Sequence, residues 1–205
     1  MRGGAEWIGC GMRAIKILAF AGSARRESLN RKFLAAAVAL ARAGGAEVTV
    51  ADLNELALPL YHGDLEAESG LPENAKRLIA LIAAHDGLLV ASPEYNSMIT
   101  PLLKNTLDWC TRDDDVDPFA GKVAAVIAAS PGAYGGIRSL QIAQQLLLKL
   151  GCHVVPGQCA LPQAGKAFGT DGSLTDARAA KSLQALVAGL LATTQALNAK
   201  PGGEV

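Results

Sequence analysis

The chain has 205 residues, 50% hydrophobic and 19% charged, which suits one globular domain with a large core and excludes the disordered class. Lys plus Arg and Asp plus Glu each number 19, so the formal net charge is zero, and no basic run tracks a nucleic-acid backbone; nucleic acid is excluded as a partner. No apolar run reaches the roughly 18 residues that span a bilayer, and no signal-peptide core opens the chain, so a cytoplasmic protein without a membrane partner is expected.

Residues 1–13 are Gly-rich and unpatterned, and are read as a disordered extension without assigned function. Ala14 to Ala21 reads as a buried strand, with Ile15, Ile17, Leu18 and Phe20 supplying its bulk. A polar turn follows, Gly22-Ser23-Ala24-Arg25-Arg26-Glu27-Ser28-Leu29-Asn30, in which Gly22 permits a tight bend. Ser28 can cap a helix that carries Phe33, Leu34, Val38 and Leu40 at helical spacing and stops at Gly44-Gly45. Glu47 to Ala51 is a second strand, and Tyr61 to Pro72 reads as polar turns. Pro72 suits the first turn of a helix through Leu78, Ile79, Leu81 and Ile82.

Leu88 to Ala91 lacks alternation, which marks a strand buried on both faces. It runs into Ser92-Pro93-Glu94-Tyr95-Asn96, and a helix follows Thr100-Pro101. The four aspartates between Arg112 and Asp117 read as a solvated loop, because adjacent carboxylates do not converge on one ion without further ligands. Lys122 to Ala129 is the fourth strand, leading into Ser130-Pro131-Gly132-Ala133-Tyr134-Gly135-Gly136 and a helix that ends at Gly151. Cys152 to Val155 is the fifth strand, closed by Pro156, and a last helix spans roughly Leu174 to Leu197. The domain thus covers 14–198, with a flexible tail at 199–205.

The four cysteines form no Cys-x-x-Cys pair and read as reduced thiols; the three histidines are scattered singly, so no metal site is expected. Five strands interleaved with five helices predict an α/β fold, an open parallel sheet with helices on both faces. Such sheets bind ligands at the carboxyl ends of their strands, which makes neighbours of the loops after strands one, three and four.

The first loop fails the Gly-x-x-x-x-Gly-Lys-Ser/Thr pattern and the three-glycine dinucleotide fingerprint, since Gly22 stands alone. A monophosphate fits: Ser23, Ser28 and Asn30 can donate from side chains, Arg25 can neutralise charge, and the helix N-terminus behind them attracts anions.

Gly22-Ser23-x-Arg25-x-x-Ser28-x-Asn30, Ser92 to Asn96, Lys104-Asn105-x-x-Asp108-Trp109 and the Ser130–Gly136 loop together resemble the NADPH-dependent FMN reductase family, which includes flavodoxin-like quinone, azo-dye and chromate reductases. The resemblance covers about residues 15 to 195. It implies a flavodoxin-like sheet of strand order 2-1-3-4-5 and a bound FMN, with NADPH or NADH as co-substrate. It places the phosphate on Ser23, Arg25, Ser28, Leu29 and Asn30, the isoalloxazine edge against Pro93, Glu94, Tyr95 and Asn96, and Ser130, Gly132, Gly135 and Gly136 around the remainder. No catalytic side chain is implied, because flavin N5 carries the hydride chemistry. Amides near Tyr95, Asn96 and Gly132 are expected to stabilise charge on the reduced ring. The cycle implied is ping-pong, from nicotinamide to a small-molecule acceptor such as a quinone, free flavin, azo compound or metal oxyanion. A homodimer or homotetramer is also implied. Glu94 reads as a surface or interface charge, and Lys104, Asp108 and Trp109 as structural. Two other classes compete: an FMN-binding electron-transfer module without nicotinamide turnover, and a phosphate-binding regulatory domain without flavin.

Overall fold

The computed structural model describes residues 13–199. Most of the extension read at residues 1–13 and of the tail at 199–205 lies outside them. Arg13 already belongs to the fold: its guanidinium donates to both oxygens of Asp86 at 2.7 and 2.6 Å.

In chain order the elements are β1 (Lys16–Ala21), α1 (Leu29–Ala43), β2 (Glu47–Ala51), α2 (Gly63–Ser69), α3 (Glu73–Ala83), β3 (Gly87–Ala91), α4 (Pro101–Cys110) and β4 (Val123–Ala129). They continue with α5 (Ile137–Lys149), β5 (His153–Val154), β6 (Cys159–Leu161), a short 3-10 turn (Ala164–Lys166) and α6 (Ala177–Asn198). The sheet is parallel with order β2-β1-β3-β4-β5, and β6 also pairs with β4. This is the flavodoxin-like order expected from the sequence.

The unalternated apolar runs have the expected cause. Every residue of β3 and β4 is buried, because helices cover both faces. Ile17, Ala19, Leu89, Ala125 and Ile127 point to the face under α1 and α6. Leu18, Phe20, Leu88, Val90 and Val126 point to the face under α3, α4 and α5.

Three expectations need correction. The segment read as turns, Tyr61 to Pro72, contains α2, which buries no residue and is held by polar contacts: Tyr61 donates to Glu66 at 2.8 Å, and Arg112 donates to the same carboxylate at 2.8 Å. Its helical period carries no apolar signal. The strand count is short by one: β5 closes at Pro156 as read, but a sixth strand follows. Without an N–H, Pro156 cannot extend the ladder, Gly157 turns at φ +123°, and pairing with β4 resumes at Cys159. The last helix starts later than Leu174, because Leu174 bridges to Phe168 and Asp176 caps the helix by accepting the Ala179 N–H.

Asp113 and Asp117 accept backbone N–H groups of the turns that follow them, which gives the aspartate-rich loop a structural role. Cys110, Cys152 and Cys159 are buried free thiols.

Candidate functional site

The carboxyl ends of β1, β3 and β4 are laced together by backbone and small polar groups. Gly22 N–H donates to Ala91 O, Ser92 N–H to Ile127 O, and Thr100 Oγ1 to Gly22 O. The three loops singled out in the sequence therefore share one rim.

In the first loop, Gly22 has a reason beyond turning. A Cβ there would lie 2.7 Å from the Leu103 Cβ, so glycine is what lets α4 close against the end of β1. Ser23 and Ser28 are buried, and Ser28 Oγ accepts the Arg31 N–H at 3.2 Å, as expected of the cap. Arg31 N–H and Lys32 N–H both bond to Ser28. The amides of Leu29 and Asn30, first in α1, are left without an acceptor among the described residues. Arg25 and Arg26 are exposed and form no ion pair among those residues. Unmatched amides at the positive end of a 15-residue helix, with two guanidinium groups beside them that are unpaired among the described residues, are an arrangement that suits an anion.

Asn30 corrects the sequence reading. Its side chain serves the fold: Nδ2 donates to Ala129 O at 2.8 Å and Oδ1 accepts Ala129 N–H at 2.9 Å. The side-chain amide closes the end of β4, which leaves one Nδ2–H and the Asn30 backbone N–H for an anion. Its partner stands 99 residues away, beyond the reach of local pattern.

In the second loop, Pro93 is buried and Tyr95 pairs with Met98 across a two-residue turn in which Asn96 and Ser97 have φ of 51° and 67°. Positive φ at two consecutive non-glycine residues is costly backbone, held only where the surroundings over-determine it. Tyr95 N–H is committed to Met98 O at 3.0 Å, and Gly132 N–H to Ser130 Oγ at 3.1 Å. Of the amides expected near these residues to meet the reduced ring, those of Asn96 and Ala133 have no acceptor among the described residues. The Tyr95, Met98 and Tyr134 side chains are 46%, 53% and 68% exposed along this rim, an apolar surface suited to a flat ring.

Glu94 is not a surface charge. Its side chain is 9% exposed and pairs with Arg138. Sequence reasoning missed Arg138, Ser139, Tyr134 and Met98. The available signal was at α5, which begins after Gly135-Gly136 and so has no side chain of its own to cap it. Gly135 is required at φ +63°, where a Cβ would fall 2.7 Å from Pro162 N. Ser92, quoted in the motif but assigned no role, has a fully buried hydroxyl with no partner among the described residues.

Lys104, Asp108 and Trp109 are structural. Lys104 pairs with Asp108 on the same helix, and Trp109, fully buried, donates Nε1–H to Pro59 O at 2.8 Å. An apolar groove of about 330 Å³ lies between α1 and β2. It carries none of the three loops, so the site is assigned on donors and charge and not on depth.

A model of the NADPH-dependent FMN reductase family matches residues 15–166. The chain belongs to this family. It is 36% identical over 171 residues to an NAD(P)H-dependent FMN reductase of Pseudomonas aeruginosa, covering 83% of this chain and 90% of that one. It is 34% identical over 192 residues to an NAD(P)H:quinone oxidoreductase of Solanum tuberosum, covering 91% and 96%. Among solved structures it is similar to the flavoenzyme NAD(P)H:(acceptor) oxidoreductase FerB of Paracoccus denitrificans, with 32% identity, a TM-score of 0.77, and coverage of 89% and 98%. Family membership makes the protein an oxidoreductase that uses FMN, with NAD(P)H as co-substrate, and sets aside both competing classes. The residues present fit that cofactor: the free Leu29 and Asn30 amides with Arg25 suit a phosphate, and the apolar rim with the Asn96 amide suits a ring.

Proposed function

We propose that the protein carries two electrons from NAD(P)H to a quinone-class acceptor, with both substrates using one open face in alternation. When bound, FMN supplies the redox chemistry, accepting hydride and delivering both electrons. The observation that carries the reading is the anion site at α1 on the same rim as the apolar Tyr95, Met98 and Tyr134 surface, because it provides for a phosphate and a flat ring side by side.

The chain's own groups would divide the work. The Leu29 and Asn30 amides, the Ser28 hydroxyl and the Arg25 guanidinium would hold the phosphate, each charge-assisted bond contributing about 1.5–3 kcal/mol before ordering costs. The Asn96 amide would face charge that develops on the ring. Tyr95, Met98 and Tyr134 would wall the substrate face and exclude water. No side chain acts as a nucleophile. Leu60, 79% exposed, is an apolar side chain that a second copy would cover, in keeping with a homo-oligomer. No helix among the described residues is long and apolar enough to cross a membrane.

Support for the acceptor class comes from relatives named quinone reductases, including the Solanum tuberosum protein and a quinone reductase of Pseudomonas putida that is 36% identical over 157 residues. The test is initial-rate kinetics with NADPH and 1,4-benzoquinone varied together. Parallel double-reciprocal lines are expected from alternation, and converging lines would show that both substrates bind at once.

A further inference from the structure

The N-terminus of α5 is satisfied by a residue from another loop. Gly136, at the cap position, sits at φ +85° and has no side chain to offer. Glu94 Oε2 takes the place of a cap, accepting Arg138 N–H at 3.1 Å and Ser139 N–H at 3.3 Å. Its other oxygen, Oε1, accepts Arg138 Nε–H at 2.8 Å and lies 2.6 Å from Arg138 Nη2. The Arg138 guanidinium in turn lies over the Tyr134 ring, 5.0 Å from its centroid. Ser139 Oγ adds a bond to Ser92 O at 3.1 Å, on the residue that opens the second loop.

These contacts have two consequences. Mechanically, they join the loop after β3 to the loop after β4, directly before the Asn96–Ser97 turn whose positive φ values require outside support. Electrically, one carboxylate is balanced against one guanidinium and the positive end of a 13-residue helix. Most of the carboxylate is shielded from water, whereas Arg138 is 51% exposed, so the pair's charges are screened unequally.

We propose that Glu94 is a positioning residue whose carboxylate, shared between α5 and Arg138, holds the Pro93–Asn96 loop in its ligand-ready form and keeps the ring end of the site electrically neutral. This rests on the FMN reading above. Removing the carboxylate leaves Arg138 and the helix end uncompensated, and that positive charge favours the reduced, more negative flavin. Removing the guanidinium leaves a carboxylate that disfavours it. The two substitutions therefore shift the midpoint potential of the bound cofactor in opposite directions.

The experiment is a potentiometric titration of FMN-loaded wild type, Glu94→Gln, Arg138→Gln and the double variant, with FMN affinity of each apoprotein measured by fluorescence quenching. Glu94→Gln should raise the potential and tighten binding of reduced relative to oxidised FMN by about threefold; Arg138→Gln should lower it by a similar factor. The double variant should return near wild type in potential while binding FMN more weakly. Potentials that move in the same direction, or not at all, overturn the proposal and leave the flavin site standing. A wild-type apoprotein that takes up no FMN overturns both. Arg138 lies half in solvent, so Arg138→Gln tests its half of the prediction even if Glu94→Gln folds poorly.

Discussion

The two ends of the sheet treat cations differently. At the amino ends of the strands, Arg13 is bidentate to Asp86, Asp86 also accepts the Lys16 N–H at 2.8 Å, and Lys122 donates to the carbonyls of Ala83 and His85 where α3 finishes. At the carboxyl ends, Arg25 and Arg26 have no partner among the described residues, and the first amides of α1 are open beside them. Paired charge secures the fold at the amino end; at the carboxyl end Arg31 pairs with Asp52 and Lys32 with Glu27, which leaves Arg25 and Arg26 as the cations open to a ligand among the described residues of the first loop. The ring side of the carboxyl end is intermediate: Arg138 is paired, and the Tyr95, Gly132 and Gly135 amides are committed within the loops. The phosphate loop adds unpaired cations to its open amides, while the ring loops supply shape and rigidity.

The comparison is tested most severely by Asn30, a conspicuous polar residue of the phosphate loop that belongs to the fold. Asn30→Ala strands the buried Ala129 N–H and C=O, at a cost on the order of 3 kcal/mol. For a chain of this size that is roughly 6–12 °C in the Tm of the apoprotein by calorimetry. An unchanged apoprotein Tm would restore the reading of Asn30 as a ligand donor. Gly22→Ala sharpens the same point. Its Cβ would meet Leu103, so a loss of about 1–3 kcal/mol in urea unfolding is expected without any ligand present.

Asp86 probes the other end. Although burial alone would raise its pKa, the bonds from Arg13 and Lys16 and the charges of Arg13 and Lys122 hold it below the ordinary carboxylate value. A depressed folded pKa means the stabilisation is fully present above the unfolded value of about 3.9 and is lost as pH falls through the lower folded value. Asp86→Asn should lower Tm by a few degrees at pH 7, flatten the acid limb of stability and leave FMN affinity unchanged. A change in FMN affinity would mean the two ends are not independent. The smallest effect is expected at the thiols. Burial pushes Cys110, Cys152 and Cys159 up to about 12, so peptide mapping should find all three unmodified after iodoacetamide treatment of the native protein at pH 8.

Much of this was legible in the sequence because parallel strands buried on both faces leave unalternated apolar runs, and the polar loops interrupt them at the carboxyl ends. Ser28 was readable as a cap because capping is local. Asn30 and Glu94 were misread because their partners lie 99 and 44 residues away, and only the folded sheet brings them together. The helix α2 was missed because it buries nothing and depends on Tyr61, Glu66 and Arg112. Pro156 was visible as a stop, but the return of the chain to β4 at Cys159 is a matter of register.

The central claim is that the unpaired charge of the first loop holds the phosphate of FMN, and titration of apoprotein with FMN tests it directly. Arg25→Ala should weaken binding about tenfold or more at low salt, with a smaller loss at high salt and an unchanged apoprotein Tm. Equal FMN affinity in wild type and Arg25→Ala at low salt would contradict the claim.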